Sequence, residues 1–143
     1  MRSGIAISLK YRHSHIEDGV LVYTSHICAI YLLAESEGIA PSFVRLQFDS
    51  ARCVRSARTD CSPAIGIYPP ESGVSFIVEL TDSKWPIEAH EFYTYAGSIL
   101  KPRGRHYVVS NHDLFYEILA DSFSESLVEQ DDADYDFIKK YFV

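Results

Sequence analysis

Glu91 opens the run Glu-Phe-Tyr-Thr-Tyr, so one carboxylate stands at the head of an aromatic segment containing Phe92, Tyr93 and Tyr95. Held in a partly apolar cleft, such a carboxylate can offset positive charge that develops on a reacting group. The plainer alternative is a strand-edge carboxylate pointing into water. His13 and His15 are the second feature. Two residues apart, they would share one face if the segment were a strand. The six histidines give no metal-binding spacing, so no metal is expected, and a histidine pair of this kind is otherwise a surface or hydrogen-bonded side chain. Arg45, Arg52, Arg55 and Arg58 form a basic stretch that reads either as solvated loop or as a clamp on phosphates or a protein target.

Several chemistries leave no trace. The chain has no Walker-type phosphate loop, no glycine-rich dinucleotide fingerprint and no nucleophile elbow. Cys28, Cys53 and Cys61 are odd in number and loosely spaced, which fits neither a disulfide framework nor a zinc site. A reducing cytosol, bacterial or host, is the expected location. No apolar run approaches the roughly 20 residues of a membrane span, and the start carries no signal-peptide pattern.

The length of 143 residues predicts a single domain, 1–143, burying about two-thirds of its unfolded surface. Ten Tyr and eight Phe are a high aromatic content, which fills a core first and can otherwise stack on a planar ligand. The net charge of −7 is uneven. Up to His112 the chain has 11 acidic and 11 basic residues; from Asp113 onward it has 9 acidic residues against Lys139 and Lys140. That tail would repel phosphates, which excludes nonspecific nucleic-acid binding by its own face, and it would suit a basic partner.

The positioning elements follow from periodicity. Residues 5–11 alternate Ile5, Ile7, Leu9 and Tyr11 with smaller or polar residues, a half-buried strand. Residues 19–24 are a short strand after the Asp18-Gly19 turn. Ile27, Ile30, Tyr31 and Ala34 fall at helical spacing, predicting a helix over 25–38 with Ser25 as N-cap and Gly38 as stop. Strands follow at 43–49, 73–80, 90–97 and 105–110, with residues 50–72 read as a long irregular loop. Ser110 or Asn111 is expected to cap a helix over 112–124, and 134–142 to form a short last helix. Strands grouped apart from helices predict an α+β fold with a mainly antiparallel sheet and a few flanking helices.

The segments 20–35, 43–49 and 91–109 resemble, in order, pieces of the small ADP-ribosyltransferase families: "VLVYTSHICAIYLLAE", "FVRLQFD" and "EFYTYAGSILKPRGRHYVV". The resemblance covers about half the chain. It implies an ADP-ribosyltransferase-like fold, NAD as cofactor and Glu91 as the carboxylate that hydrogen-bonds the ribose while the nicotinamide leaves. That reaction generates an oxocarbenium-like sugar, as glycoside cleavage does. It also implies that Tyr23 and Tyr31 enclose the nicotinamide and that Thr24 and Ser25 support the cleft. Arg12, His13 or His15 would hold the adenosine ribose or the phosphates. The His-Gly-Thr of one subtype is absent, and Ala89 stands where the arginine-directed subtype places Glu or Gln, so a degenerate, non-catalytic member stays open.

Two functions are therefore expected from the sequence. One is a toxin, effector or phage-encoded factor transferring ADP-ribose from NAD to a macromolecular target. The other is an acidic, non-enzymatic inhibitor or immunity protein that binds and blocks a basic enzyme.

Overall fold

The computed structural model describes residues 2–36, 38–61, 65–91 and 101–142. Among the described residues nine strands carry the fold: β1 (Gly4–Ser8), β2 (Val20–Tyr23), β3 (Cys28–Leu33), β4 (Phe43–Asp49), β5 (Cys53–Arg58), β6 (Phe76–Leu80), β7 (Arg105–Asn111), β8 (Leu114–Ala120) and β9 (Ser122–Val128). Two short helices accompany them, α1 (Trp85–Glu91) and α2 (Tyr135–Lys139). The strands form two antiparallel sheets, in the orders β1-β6-β7-β8-β5 and β2-β3-β4-β9. The mainly antiparallel α+β architecture expected from the sequence is present, with strands dominating.

The two sheets bury their facing sides in one core. Cys28, Ile30, Leu32, Val44, Leu46 and Phe48 of the smaller sheet meet Ile77, Tyr107, Val109, Tyr116, Ile118 and Ala120 of the larger. The outer side of the smaller sheet is covered as well, by α2. Tyr135 and Ile138 pack there on Ala29, Tyr31 and Phe43. β3 is consequently buried on both faces along most of its length, which explains why it is not the expected helix. A strand covered on both sides reads as a continuous apolar run, and Cys-Ala-Ile-Tyr-Leu-Leu satisfies a helical template by chance.

The expected helix over 112–124 is also replaced, by β8 and β9. β7 and β8 form a hairpin that pairs Asn111 with Leu114 and places His112 at φ 41°, in the left-handed region. Residues expected to cap a helix instead end β7. The supposed loop at 50–72 contains β5, which pairs with β8 along its whole length. Its Arg55 and Arg58 are exposed, as befits an edge strand protected by charge. Strand 43–49 and the short helix near the C-terminus stand where expected.

Glu91 does not head a strand. His90 and Glu91 are the last two residues of α1, and the remainder of the aromatic segment, 92–100, lies outside the described residues. Helix initiation has a local cause. Ser83 Oγ accepts the Trp85 N–H at 3.1 Å, and Pro86 sits in the first turn, where a missing N–H costs nothing. The helix is held to β7 by Trp85, whose ring meets His106 edge-on at 4.7 Å between centroids.

One carboxylate ties the two sheets together. Glu125 of β9 accepts the backbone N–H groups of Lys10 and Tyr11, both at 2.7 Å, just after β1. A second cluster anchors α2: Arg45 Nη1 donates to Asp134 at 2.8 Å and Asp132 at 3.2 Å.

Candidate functional site

A cavity of about 420 Å³ lies on the outer side of the larger sheet, a volume ordinary for small-molecule sites. Alternation along β6, β7 and β8 builds its floor. Phe76 and Val78, Val108, and Phe115 point outward, while their neighbours Ile77, Val109 and Tyr116 point into the core. Ile65, Gly66, Ile67 and Tyr68 form a wall over this floor, with Tyr68 edge-on to Phe76 at 6.0 Å. Gly66 takes φ +73° with open space around its Cα, so the wall turns where only glycine does so without strain.

Polar groups converge on the rim: His13, His15, Thr59 and Ser110. The His13 and His15 rings lie 5.2 Å apart, but not on a strand face as the spacing suggested: buried His13 makes an isolated bridge to Ala34, and exposed His15 lies in the bend that follows. His13 is buried, its backbone N–H donating to Ser75 Oγ at 3.1 Å and its Nδ1 lying 3.2 Å from the Ser14 carbonyl. Burial pushes the His13 pKa below its usual value. The Ser14 carbonyl works against this and the neighbouring His15 adds to it. The outcome is a neutral imidazole at neutral pH, able to accept or donate a hydrogen bond without carrying charge.

The other residues implied by the resemblance are dispersed. Arg12 is exposed and pairs with Glu35 at 3.4 Å. Tyr23 ends β2, 45% exposed, and Thr24 and Ser25 begin the β2–β3 turn. Thr24 Oγ1 accepts the N–H groups of His26 and Ile27 at 3.1 Å, so it closes the turn where Ser25 was expected to cap a helix. Tyr31 is buried under α2 on the outer side of the smaller sheet, its hydroxyl donating to Asp134 at 3.0 Å. It therefore shares no cleft with His13. Glu91 is exposed at the end of α1.

Three of the four arginines and five of the nine tail carboxylates are engaged within the fold. Arg45 is spent on α2, Arg55 pairs with Glu117 at 2.8 Å, and Arg58 lies 3.8 Å from Asp113. Of the nine tail carboxylates, Asp121, Glu129, Asp131 and Asp136 have no hydrogen-bond or ion-pair partner among the described residues. The remaining ones serve the fold, on strands and a turn as well as near α2. No metal spacing is visible in the sequence, yet Asp18, His112 and Asp113 bring their donor atoms within 4.8 Å of one another at the surface. Those groups engage each other: Asp18 accepts the Asp113 N–H at 2.8 Å, and His112 lies 3.3 Å from Asp113.

Sequence reading missed the cavity floor and wall. The only available signal was the outward half of each alternating strand, Phe76 and Val78 and then Val108, which stayed apolar where a solvated face would be polar. The described residues include no helix long and apolar enough to cross a membrane. No family model matches the chain, and neither a curated protein nor a solved structure is found to match it.

Proposed function

We propose that this protein binds a flat, mostly apolar small molecule with a polar edge in the cavity on the larger sheet. The adenosine end of NAD is the form of that ligand the sequence resemblance suggests, since it assigns Arg12, His13 or His15 to the adenosine ribose or the phosphates. The observation that carries the reading is the apolar floor of Phe76, Val78, Val108 and Phe115 beneath a rim bearing His13 and His15. His13 is among the residues the resemblance assigns to NAD. Helix α1, which ends in Glu91, rests against β7, the strand that also supplies Val108 and Ser110 to the cavity. In this proposal Glu91 remains the carboxylate for ADP-ribose transfer to a macromolecular target. The competing inhibitor reading has less support, because most of the tail carboxylates are engaged within the fold.

The test is calorimetric titration with NAD and with adenosine, comparing wild type with Ser110→Phe. Ser110 is exposed at the rim, so the new ring enters the cavity at little cost to the core. Binding by wild type and its loss in the folded variant are expected. No heat with wild type, or equal affinity in both, overturns the reading.

A further inference from the structure

A second, smaller pocket on the same sheet carries a hydrogen-bonded relay that plays no part in the cavity. Ser83 Oγ lies 2.6 Å from His106 Nδ1, and His106 Nε2 lies 2.6 Å from Glu117 Oε1. Arg55 holds the same carboxylate with two bonds, Nε at 2.8 Å and Nη2 at 3.1 Å, and stacks over Trp85 at 4.1 Å. β7 and β8 place His106 and Glu117 on the outer side of the sheet, and the turn before α1 brings Ser83 to them. Arg2, Arg55, Asp82, Ser83, Lys84, Trp85, Glu88 and His106 line the opening, about 280 Å³ in volume.

We infer that Ser83 is an activated nucleophile, with His106 as its general base and Glu117 as the residue that fixes the imidazole, acting on a small, uncharged carboxylic ester.

The chemistry follows from the donors and acceptors. Burial alone would raise the Glu117 pKa, but the bonds from His106 and Arg55 outweigh it and bring the group down to about 2. The carboxylate is therefore ionised and takes the His106 Nε2–H. In the neutral ring this leaves Nδ1 as the acceptor for the Ser83 hydroxyl proton. His106 is 2% exposed while Ser83 is half-buried at the pocket wall, so the base is shielded and the hydroxyl accessible. The Trp85 N–H donates to Ser83 Oγ and fixes the hydroxyl beside His106.

In the reaction the Ser83 Oγ–carbonyl carbon bond forms and its proton passes to His106 Nδ1. The ester C–O bond breaks, and the alkoxide leaves as an alcohol carrying that proton. Water, deprotonated by the same nitrogen, then cleaves the acyl-serine to a carboxylic acid and restores Ser83. Arg2 is paired with Asp82 at 3.2 Å, and Lys84 and Glu88 add one charge of each sign, so the opening suits a substrate without net charge. His106 touches the reacting hydroxyl and is catalytic. Glu117 and Arg55 are positioning residues.

The test is labelling of the full chain by a fluorophosphonate, followed by intact mass and peptide mapping. A single adduct on Ser83 is expected, absent in Ser83→Ala. In His106→Gln labelling should be slower by about 100-fold or more. Glu117→Gln should lower the maximal labelling rate by about 10-fold without moving the half-saturating probe concentration, a split that a purely structural role would not produce. Melting curves confirm that each variant is folded; should His106→Gln unfold, Glu117→Gln and Ser83→Ala still decide. No adduct on folded wild type, an adduct elsewhere, or equal rates in wild type and the folded variants overturns the inference.

Discussion

Replacing Tyr31 by Phe removes one hydroxyl from under α2 and leaves the packing in place. Tyr31 is 2% exposed and donates to Asp134 at 3.0 Å. Asp134 also receives Arg45 Nη1 at 2.8 Å, so its carboxylate is not orphaned by the change. The loss at pH 7 should therefore sit near the usual net value of one hydrogen bond, about 1 kcal/mol. Tyr31→Ala, by contrast, empties a core position and should cost about 3–5 kcal/mol. Alkaline pH supplies a second, independent signature. Burial, then the hydrogen bond and charge of Asp134, push the Tyr31 pKa up to about 12 from 10. A phenol that ionises later in the fold than in the unfolded chain contributes stability that is intact below pH 10 and lost as pH rises from 10 through 12. At pH 11 that loss is about 1.4 kcal/mol for wild type from this residue, and none for the phenylalanine variant. Urea unfolding of both proteins at pH 7 and pH 11 measures it. The gap between them should close or reverse at the higher pH. A constant gap, or loss of ligand binding in Tyr31→Phe without loss of stability, would refute the core placement and return Tyr31 to a cleft.

Glu125→Ala leaves the N–H groups of Lys10 and Tyr11 without their acceptor, so it should destabilise by about 2–4 kcal/mol in thermal or urea unfolding. His13, whose pKa is lowered, favours the fold while neutral. Its contribution is present above pH 6.5 and fades as pH falls below that value, and His13→Gln should flatten the stability profile between pH 7.5 and 5. Neutralising Glu129, Asp131 and Asp136 together should leave stability within about 1 kcal/mol of wild type, because these carboxylates are exposed and unpartnered among the described residues. Differential scanning calorimetry at pH 7 checks the last.

Strands with one wet face were legible in the sequence. β4 is the clearest case: Val44, Leu46 and Phe48 go inward, while Gln47 and Asp49 face solvent. Strands covered on both sides were not. In β3 and β8 the second cover comes from residues far along the chain, α2 for one and the relay and cavity for the other, and no local pattern announces it. The acidic tail failed for a related reason. Asp113, Glu117, Asp121, Glu125 and Glu129 recur every four residues, a spacing that keeps side chains on one face of a helix and equally on one face of a strand. The histidines come together without a strand, buried His13 through an isolated bridge to Ala34 and exposed His15 in the bend that follows, so the strand interval was not the cause. Ser83, His106 and Glu117 were invisible, being 23 and 11 residues apart and joined only by the β7–β8 hairpin and the turn before α1.

Amide chemical-shift mapping during titration with NAD tests the proposed binding site most directly. Shifts that saturate together at His13, His15, Tyr68, Val108, Ser110 and Phe115 are predicted, with Tyr31 and the β2–β3 turn at Thr24 and Ser25 unmoved. Shifts centred on Tyr23 to Ile27 or on Tyr31, or no saturating shifts at all, would contradict it.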